Sequence, residues 1–218
     1  MFLIKNLQEA VSNLERVYSG RVAAKRCPEA AEVRGPVGLF FVRQDGGAGS
    51  KLAEEVVASF GYWNLRSGHC FDGLFMGWGF DGVPAFDEDA FVACVKELEH
   101  ALNWRYDQAA QLLLTDFVYR PVAGTGHFDF SRSIPLDISG LLDAGRYSQL
   151  APLMEQLIKP VERDREAQAE VSVMEISDYQ AFLEGRRRLW DELVKKFGLL
   201  LGWIDQITPF AVRDLRKV

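Results

Sequence analysis

Three short stretches of this chain carry residue types capable of chemistry. The first is His69-Cys70 with Asp72 two positions on, a histidine, a thiol and a carboxylate of the kind that assembles an activated nucleophile. Adjacent residues on a strand point to opposite faces, which makes a direct contact between His69 and Cys70 awkward. The plainer reading puts Cys70 in the core, where free cysteines are commonly found, and His69 in a turn. The second stretch sets His127 and Asp129 in alternation with Phe128 and Phe130. On a strand the polar pair shares one face and the phenylalanines the other. That geometry offers an acid/base pair or half a metal site, and it is equally the pattern of any half-exposed strand. A third ligand is not evident, so no metal is expected.

The third stretch is the turn Asp45-Gly46-Gly47-Ala48-Gly49-Ser50, followed by Lys51. It joins an apolar run to a helical pattern, the place where backbone N–H groups and the helix dipole receive a phosphate. A P-loop needs GxxxxGK[ST], and here Gly49 is followed by Ser50 and Lys51 in the opposite order. The dinucleotide pattern GxGxxG fails as well, because Leu52 stands where its third glycine belongs. Gly46, Gly47, Gly49, Ser50 and Lys51 are therefore candidates for holding an anion, with a surface loop as the simpler reading and no cofactor expected.

These residues need elements to position them. Val37–Val42 reads as a strand, Lys51–Phe60 as an amphipathic helix with Ser50 as its cap, and Cys70–Trp78 as a second apolar strand. Together they form a βαβ unit between Gly35 and Gly79, the seed of a parallel sheet. Ligand clefts in such sheets open at the carboxyl ends of strands, which here means the exit Phe75-Met76-Gly77-Trp78-Gly79-Phe80. Upstream, Leu3, Leu7, Ala10, Val11, Leu14, Val17 and Tyr18 keep helical spacing, and Ser19-Gly20 is expected to stop that helix.

Downstream, Asp87 caps a helix over 88–103, with Phe86 and Phe91 as a hydrophobic staple. Leu112–Arg120 and Gly126–Pro135 show strand character around the turn Pro121–Thr125, an antiparallel hairpin. A helical region follows Asp137, breaks at Gly145, and resumes to Pro160; residues 161–170 are a charged, solvated run. Ser177 and Gln180 then open a long apolar stripe that lasts to Ile207, ahead of Thr208-Pro209. At 1.5 Å per residue that helix is roughly 45 Å long, more than a small domain is wide. Arg186, Arg187 and Arg188 lie within it, either on a solvated face or toward an acidic partner.

The element order is α/β and resembles the β-α-β-α-β-β-α succession of a thioredoxin-like sheet, with an additional N-terminal helix and a long C-terminal amphipathic helix. The resemblance is one of order, without a CxxC pair, and a ferredoxin-like α+β sandwich is the alternative. The expected organisation is one domain over 1–218, made of an N-terminal helix (1–20), an α/β core (35–165) and the last helix (177–207).

Composition narrows the function classes. With 48% hydrophobic and 26% charged residues over 218 positions, the chain is an ordinary packed protein. The net charge is −6, with the acidic excess on residues 71–150, which argues against a nucleic-acid groove there. Three cysteines without CxxC or zinc spacing imply neither a disulfide framework nor a structural metal. Polar residues interrupt the apolar start Phe2-Leu3-Ile4, and there is no run of about 18 apolar residues to cross a bilayer. A cytoplasmic protein with no membrane contact is expected. Since no motif specifies a reaction, the preferred reading is a non-enzymatic interaction or adaptor protein. It would meet a protein partner, or form a homo-oligomer, through the terminal helices Phe2–Tyr18 and Ser177–Ile207. The alternative is a phosphate- or nucleotide-binding protein, or a hydrolase around Asp72, His127 and Asp129.

Overall fold

The computed structural model describes residues 2–25, 32–44, 51–55, 58, 61–63, 71–107, 110–143, 151–152, 155 and 215–217. The chain divides into two compact units, Met1–Leu150 with Arg213–Val218, and Ala151–Val212. Nearly all described residues belong to the first, whose architecture is mixed α/β.

Strand β1 (Phe2–Ile4) is followed by helix α1 (Leu7–Lys25) and strand β2 (Val33–Phe41). Residues 51–55 and 61–63 are helical. Strand β3 (Asp72–Met76) leads into a small hairpin of β4 (Trp78–Phe80) and β5 (Pro84–Phe86), then helix α2 (Glu88–Ala101). A long hairpin of β6 (Gln111–Arg120) and β7 (Thr125–Asp137) precedes the short helix α3 (Ile138–Asp143). The main sheet has the order β1-β3-β2-β6-β7; β1, β3 and β2 run parallel, while β6 is antiparallel to both β2 and β7.

The beginning of the chain departs from the helical expectation for 2–18. Phe2, Leu3 and Ile4 pair in parallel with Leu74, Phe75 and Met76, so edge pairing overrides the helical spacing of Leu3 with Leu7. The helix starts after Asn6, whose Oδ1 accepts from the Glu9 N–H at 2.8 Å while Glu9 Oε2 accepts from the Lys5 N–H at 2.9 Å. This is a reciprocal cap. Gly20 does not end α1, which continues to Lys25. An interior glycine costs about 1 kcal/mol relative to alanine, and burial of Ala10, Leu14 and Tyr18 on the same helix outweighs it.

One face of the sheet is covered by α1 and α2. Ala10, Leu14 and Tyr18 from α1 join Phe91, Cys94, Val95 and Leu98 from α2 over Val37, Leu39, Phe41, Leu74, Met76, Leu113 and Phe117. Phe41 sits among Phe91, Trp104 and Tyr106, with ring centroids 6.3, 4.9 and 6.2 Å away. Alternation along β2 and β3 sends Phe40 and Phe75 to the opposite face, where their rings stack at 4.6 Å. Leu52, Ala53, Trp63 and Ile138 are buried as well.

The α2 start is as expected: Asp87 Oδ1 accepts from the Ala90 N–H at 3.0 Å, and the Phe86 and Phe91 rings lie 5.5 Å apart. The β6–β7 hairpin is likewise as expected, with a register shift between Leu114 and Asp116. The second strand is shorter than the expected Cys70–Trp78. Gly77 adopts φ 77°, a left-handed conformation, and a side chain there would press on the Phe91 backbone, with Cα 2.7 Å from the added Cβ. The chain turns at Gly77, and Trp78 opens a hairpin that the glycine spacing alone did not disclose. The expected helix over 177–207 lies outside the described residues.

Candidate functional site

Asp72 is the one member of the His69, Cys70, Asp72 group within the described residues, and it is buried. It faces α1, where Arg21 grips it with two hydrogen bonds, Nη1 to Oδ2 at 2.8 Å and Nη2 to Oδ1 at 2.9 Å. The guanidinium in turn lies 4.9 Å from the Tyr18 ring centroid. A carboxylate held bidentately by an arginine forms a strong pair of fixed geometry. Arg21 escaped the sequence reading because the helix carrying it was expected to end at Gly20.

His127 and Asp129 share the other face of the sheet. Asp129 accepts from Arg34 Nη1 at 3.0 Å and from the Ser131 N–H at 3.0 Å. Burial pulls the Asp129 carboxyl upward, but the Ser131 hydrogen bonds and the Arg34 charge outweigh it and hold the group below its ordinary value. Arg34 also donates to Glu32 at 3.1 Å, and Glu32 accepts from Arg120 Nε at 3.1 Å. Those two hydrogen bonds, Arg34 first, lower the Glu32 carboxyl. Burial works against the Arg34 cation, but the hydrogen bond to Glu32 and the charges of Glu32, Asp129 and Asp116 raise it. The result is an ionic lattice across β2, β6 and β7. His127 stands exposed beside it, paired through the backbone with Val118.

Asp72 and Asp129 do not converge. Two strands, β2 and β6, separate β3 from β7, so three spacings of about 4.8 Å, roughly 14 Å, divide them. They also project from opposite faces, since Leu74 and Met76 belong to the α1-covered core that Phe128 and Phe130 pack against. The structure therefore does not bring Asp72 together with His127 and Asp129. Strand alternation predicts which residues share a face of one strand, and says nothing about which face of the sheet each strand offers.

Of the loop candidates, Gly46, Gly47, Gly49 and Ser50 lie outside the described residues, as do His69 and Cys70; Lys51 is helical and exposed. Cys94 is buried in the α2 stripe, its Sγ donating to the Lys5 carbonyl at 3.4 Å. Burial pushes its thiol up to about 11, with Glu97 adding to the effect, so at neutral pH it is not a nucleophile. Among the described residues no group of three or more His, Cys, Asp or Glu is placed to hold a metal ion. No helix among them is long and apolar enough to cross a membrane.

A concavity does open at the carboxyl ends of β2 and β3. It has a volume of about 320 Å³ and is walled by Ala53, Ala58, Trp78, Pro84, Ala85 and Phe86, with the exposed Gln44 and Glu54 as its polar members. Trp78 is fixed there by its indole N–H, which donates to the Val42 carbonyl at 3.1 Å, and by the Phe86 ring 5.4 Å away. The Gly77 turn sets the hairpin against the end of β2, and Arg43 pairs with Glu88 beside it. The walls are apolar and carry one carboxylate, Glu54. Comparison of the chain with protein-family models, with curated proteins and with solved structures finds no match.

Proposed function

We propose that this chain is a non-enzymatic interaction protein built on a thioredoxin-like scaffold. The observation that carries the reading is the fate of the chemistry-bearing residues within the described core. Asp72 is gripped by Arg21, Asp129 by Arg34 and Ser131, and Cys94 is a buried neutral thiol. The scaffold proposal rests on three parallel strands ordered β1-β3-β2 with an antiparallel β6–β7 hairpin beside β2. It carries no implication of thiol chemistry, because a fold does not confer a function.

The stripe of α1 is used inside its own unit, with Ala10, Leu14 and Tyr18 buried. The partner surface is therefore assigned to the apolar stripe over 177–207, on the strength of its spacing and length alone. Its partner is a protein or a second copy of the chain, met in a reducing compartment such as the cytoplasm. The test is the mass of the full chain by light scattering over a range of concentrations, repeated with Trp190→Ser and Phe197→Ser. Assembly that disappears in the substituted chain is the expected result; a strictly monomeric chain that captures no protein partner overturns it.

The Trp78 concavity favours a second reading, a site for a small apolar ligand at the strand ends. Its volume lies at the low end of ordinary ligand pockets. Ligand at 100 times its Kd stabilises a protein by about 2.7 kcal/mol, so a thermal-shift screen that leaves Tm unmoved for nucleotides, phosphate esters and small aromatics removes this reading.

A further inference from the structure

Residues 215–217, themselves part of the first unit, lie against α2 and β7 as a peptide ligand would. The Leu215 N–H donates to the Phe130 carbonyl at 3.0 Å, and the Leu215 carbonyl accepts from the Asn103 N–H at 2.7 Å. Arg216 forms an antiparallel bridge with Leu102. The backbone of this segment is thus an extended rung between the end of α2 and β7. β7 is an edge strand, and the register shift opposite Leu114 and Asp116 leaves Phe130 outside the regular ladder. Phe130, whose carbonyl receives Leu215, has no Cα partner in the β6–β7 register.

Side chains follow the same logic. In an extended segment positions 215 and 217 point one way and 216 the other. Leu215 is only 3% exposed and joins the core cluster with Leu98, Leu102 and Trp104, while Arg216 is exposed. Lys217 Nζ donates to the carbonyls of Glu99 and His100 at 2.9 and 2.6 Å. These are last-turn carbonyls of α2, which lack helical partners and sit at the negative end of the helix dipole. One apolar pocket and one cation site, two residues apart, are the specificity elements of a strand-addition site.

We propose that the groove between the end of α2 and the β7 edge is a peptide-recognition site. It reads an extended Leu-x-Lys segment, and the chain's own Leu215-Arg216-Lys217 is its displaceable resident occupant. The proposal is independent of the function proposed above. The test uses the full chain carrying Leu215→Asp and Lys217→Glu, which empties the groove, titrated with a fluorescein-labelled peptide of residues 211–218, AVRDLRKV. Saturable binding is expected, at least tenfold tighter than to the unsubstituted chain, where the tethered segment competes at about millimolar effective concentration. The same peptide with its leucine replaced by aspartate is expected not to bind. No binding to the substituted chain, or equal binding to both chains, overturns the proposal. Should that chain not fold, hydrogen exchange on the unsubstituted protein decides. The Leu215 and Asn103 amides are expected to open together, more readily than those of β2; opening only with β2, or no protection at all, overturns it.

Discussion

Removing the Asp72 carboxylate is expected to be among the most damaging changes in the first unit. Its side chain is 5% exposed and that of Arg21 is 18% exposed, so truncating Asp72 strands a largely buried cation. Breaking one side of such a pair costs about 3–5 kcal/mol. The residual exposure of Arg21 and its place over the Tyr18 ring leave the cation some solvation, which puts Asp72→Ala near the lower figure, about 3 kcal/mol. At about 2–4 °C per kcal/mol for a chain of this size, Tm falls by roughly 6–12 °C. The pairing makes a sharper claim about the cycle of Asp72→Ala, Arg21→Met and their combination. The double variant has no stranded charge, and apolar replacement of a buried pair is often neutral, so it should be more stable than Asp72→Ala alone. Urea unfolding of the four proteins gives the coupling free energy, expected at about 2 kcal/mol. An Asp72→Ala chain within about 0.5 kcal/mol of the parent, or singles that simply add, would refute the assignment of Asp72 to structure.

Gly77→Ala forces a left-handed backbone onto a residue with a side chain and drives that side chain at Phe91. Strain and overpacking of about 1–3 kcal/mol each should lower Tm by several degrees in a melting scan. Asp87→Ala removes the acceptor for the Ala90 N–H and should cost about 1 kcal/mol in denaturant unfolding, whereas Asp87→Asn should cost much less. The Cys94 thiol titrates at about 11 instead of its ordinary 9.0, so the folded state holds this proton more tightly than the unfolded state. Its contribution, about 2–3 kcal/mol, is fully present below pH 9 and is lost as pH rises through 11. Stability measured from pH 8 to 11 should therefore fall less steeply in Cys94→Ala than in the parent; parallel curves would refute the burial argument.

Local signals in this chain were legible and distant ones were not. Asp87 with Phe86 and Phe91 is a cap and staple within six residues, and the β6–β7 hairpin has its turn written between its strands. β1 is three residues long and takes its identity from Leu74, Phe75 and Met76, some seventy positions away. No periodicity can report a pairing of that kind. Asn6-Leu7-Gln8-Glu9 did mark where α1 begins, a capping signature that places Phe2–Ile4 outside the helix. The end of α1 was hidden differently, because Gly20 is unfavourable by propensity and is overruled by the burial of Leu14 and Tyr18.

The same separation of scales governs the candidate sites. A carboxylate on an apolar strand reads as chemistry until its partner is known, and the partners here come from 51 residues away for Asp72 and 95 for Asp129. Each arrives because topology, not sequence proximity, lays α1 over β3 and β2 within reach of β7. The concavity at the Trp78 exit was foreseeable, since it depends only on where parallel strands end. Its walls Pro84, Ala85 and Phe86 were not, because they arrive through the left-handed turn at Gly77 and the hairpin it starts. Gly77 therefore links fold to site: the clash with Phe91 that forbids a side chain there also fixes the direction in which the chain leaves β3. A substitution at Gly77 should disturb Trp78 and its hydrogen bond to Val42 before it disturbs the sheet.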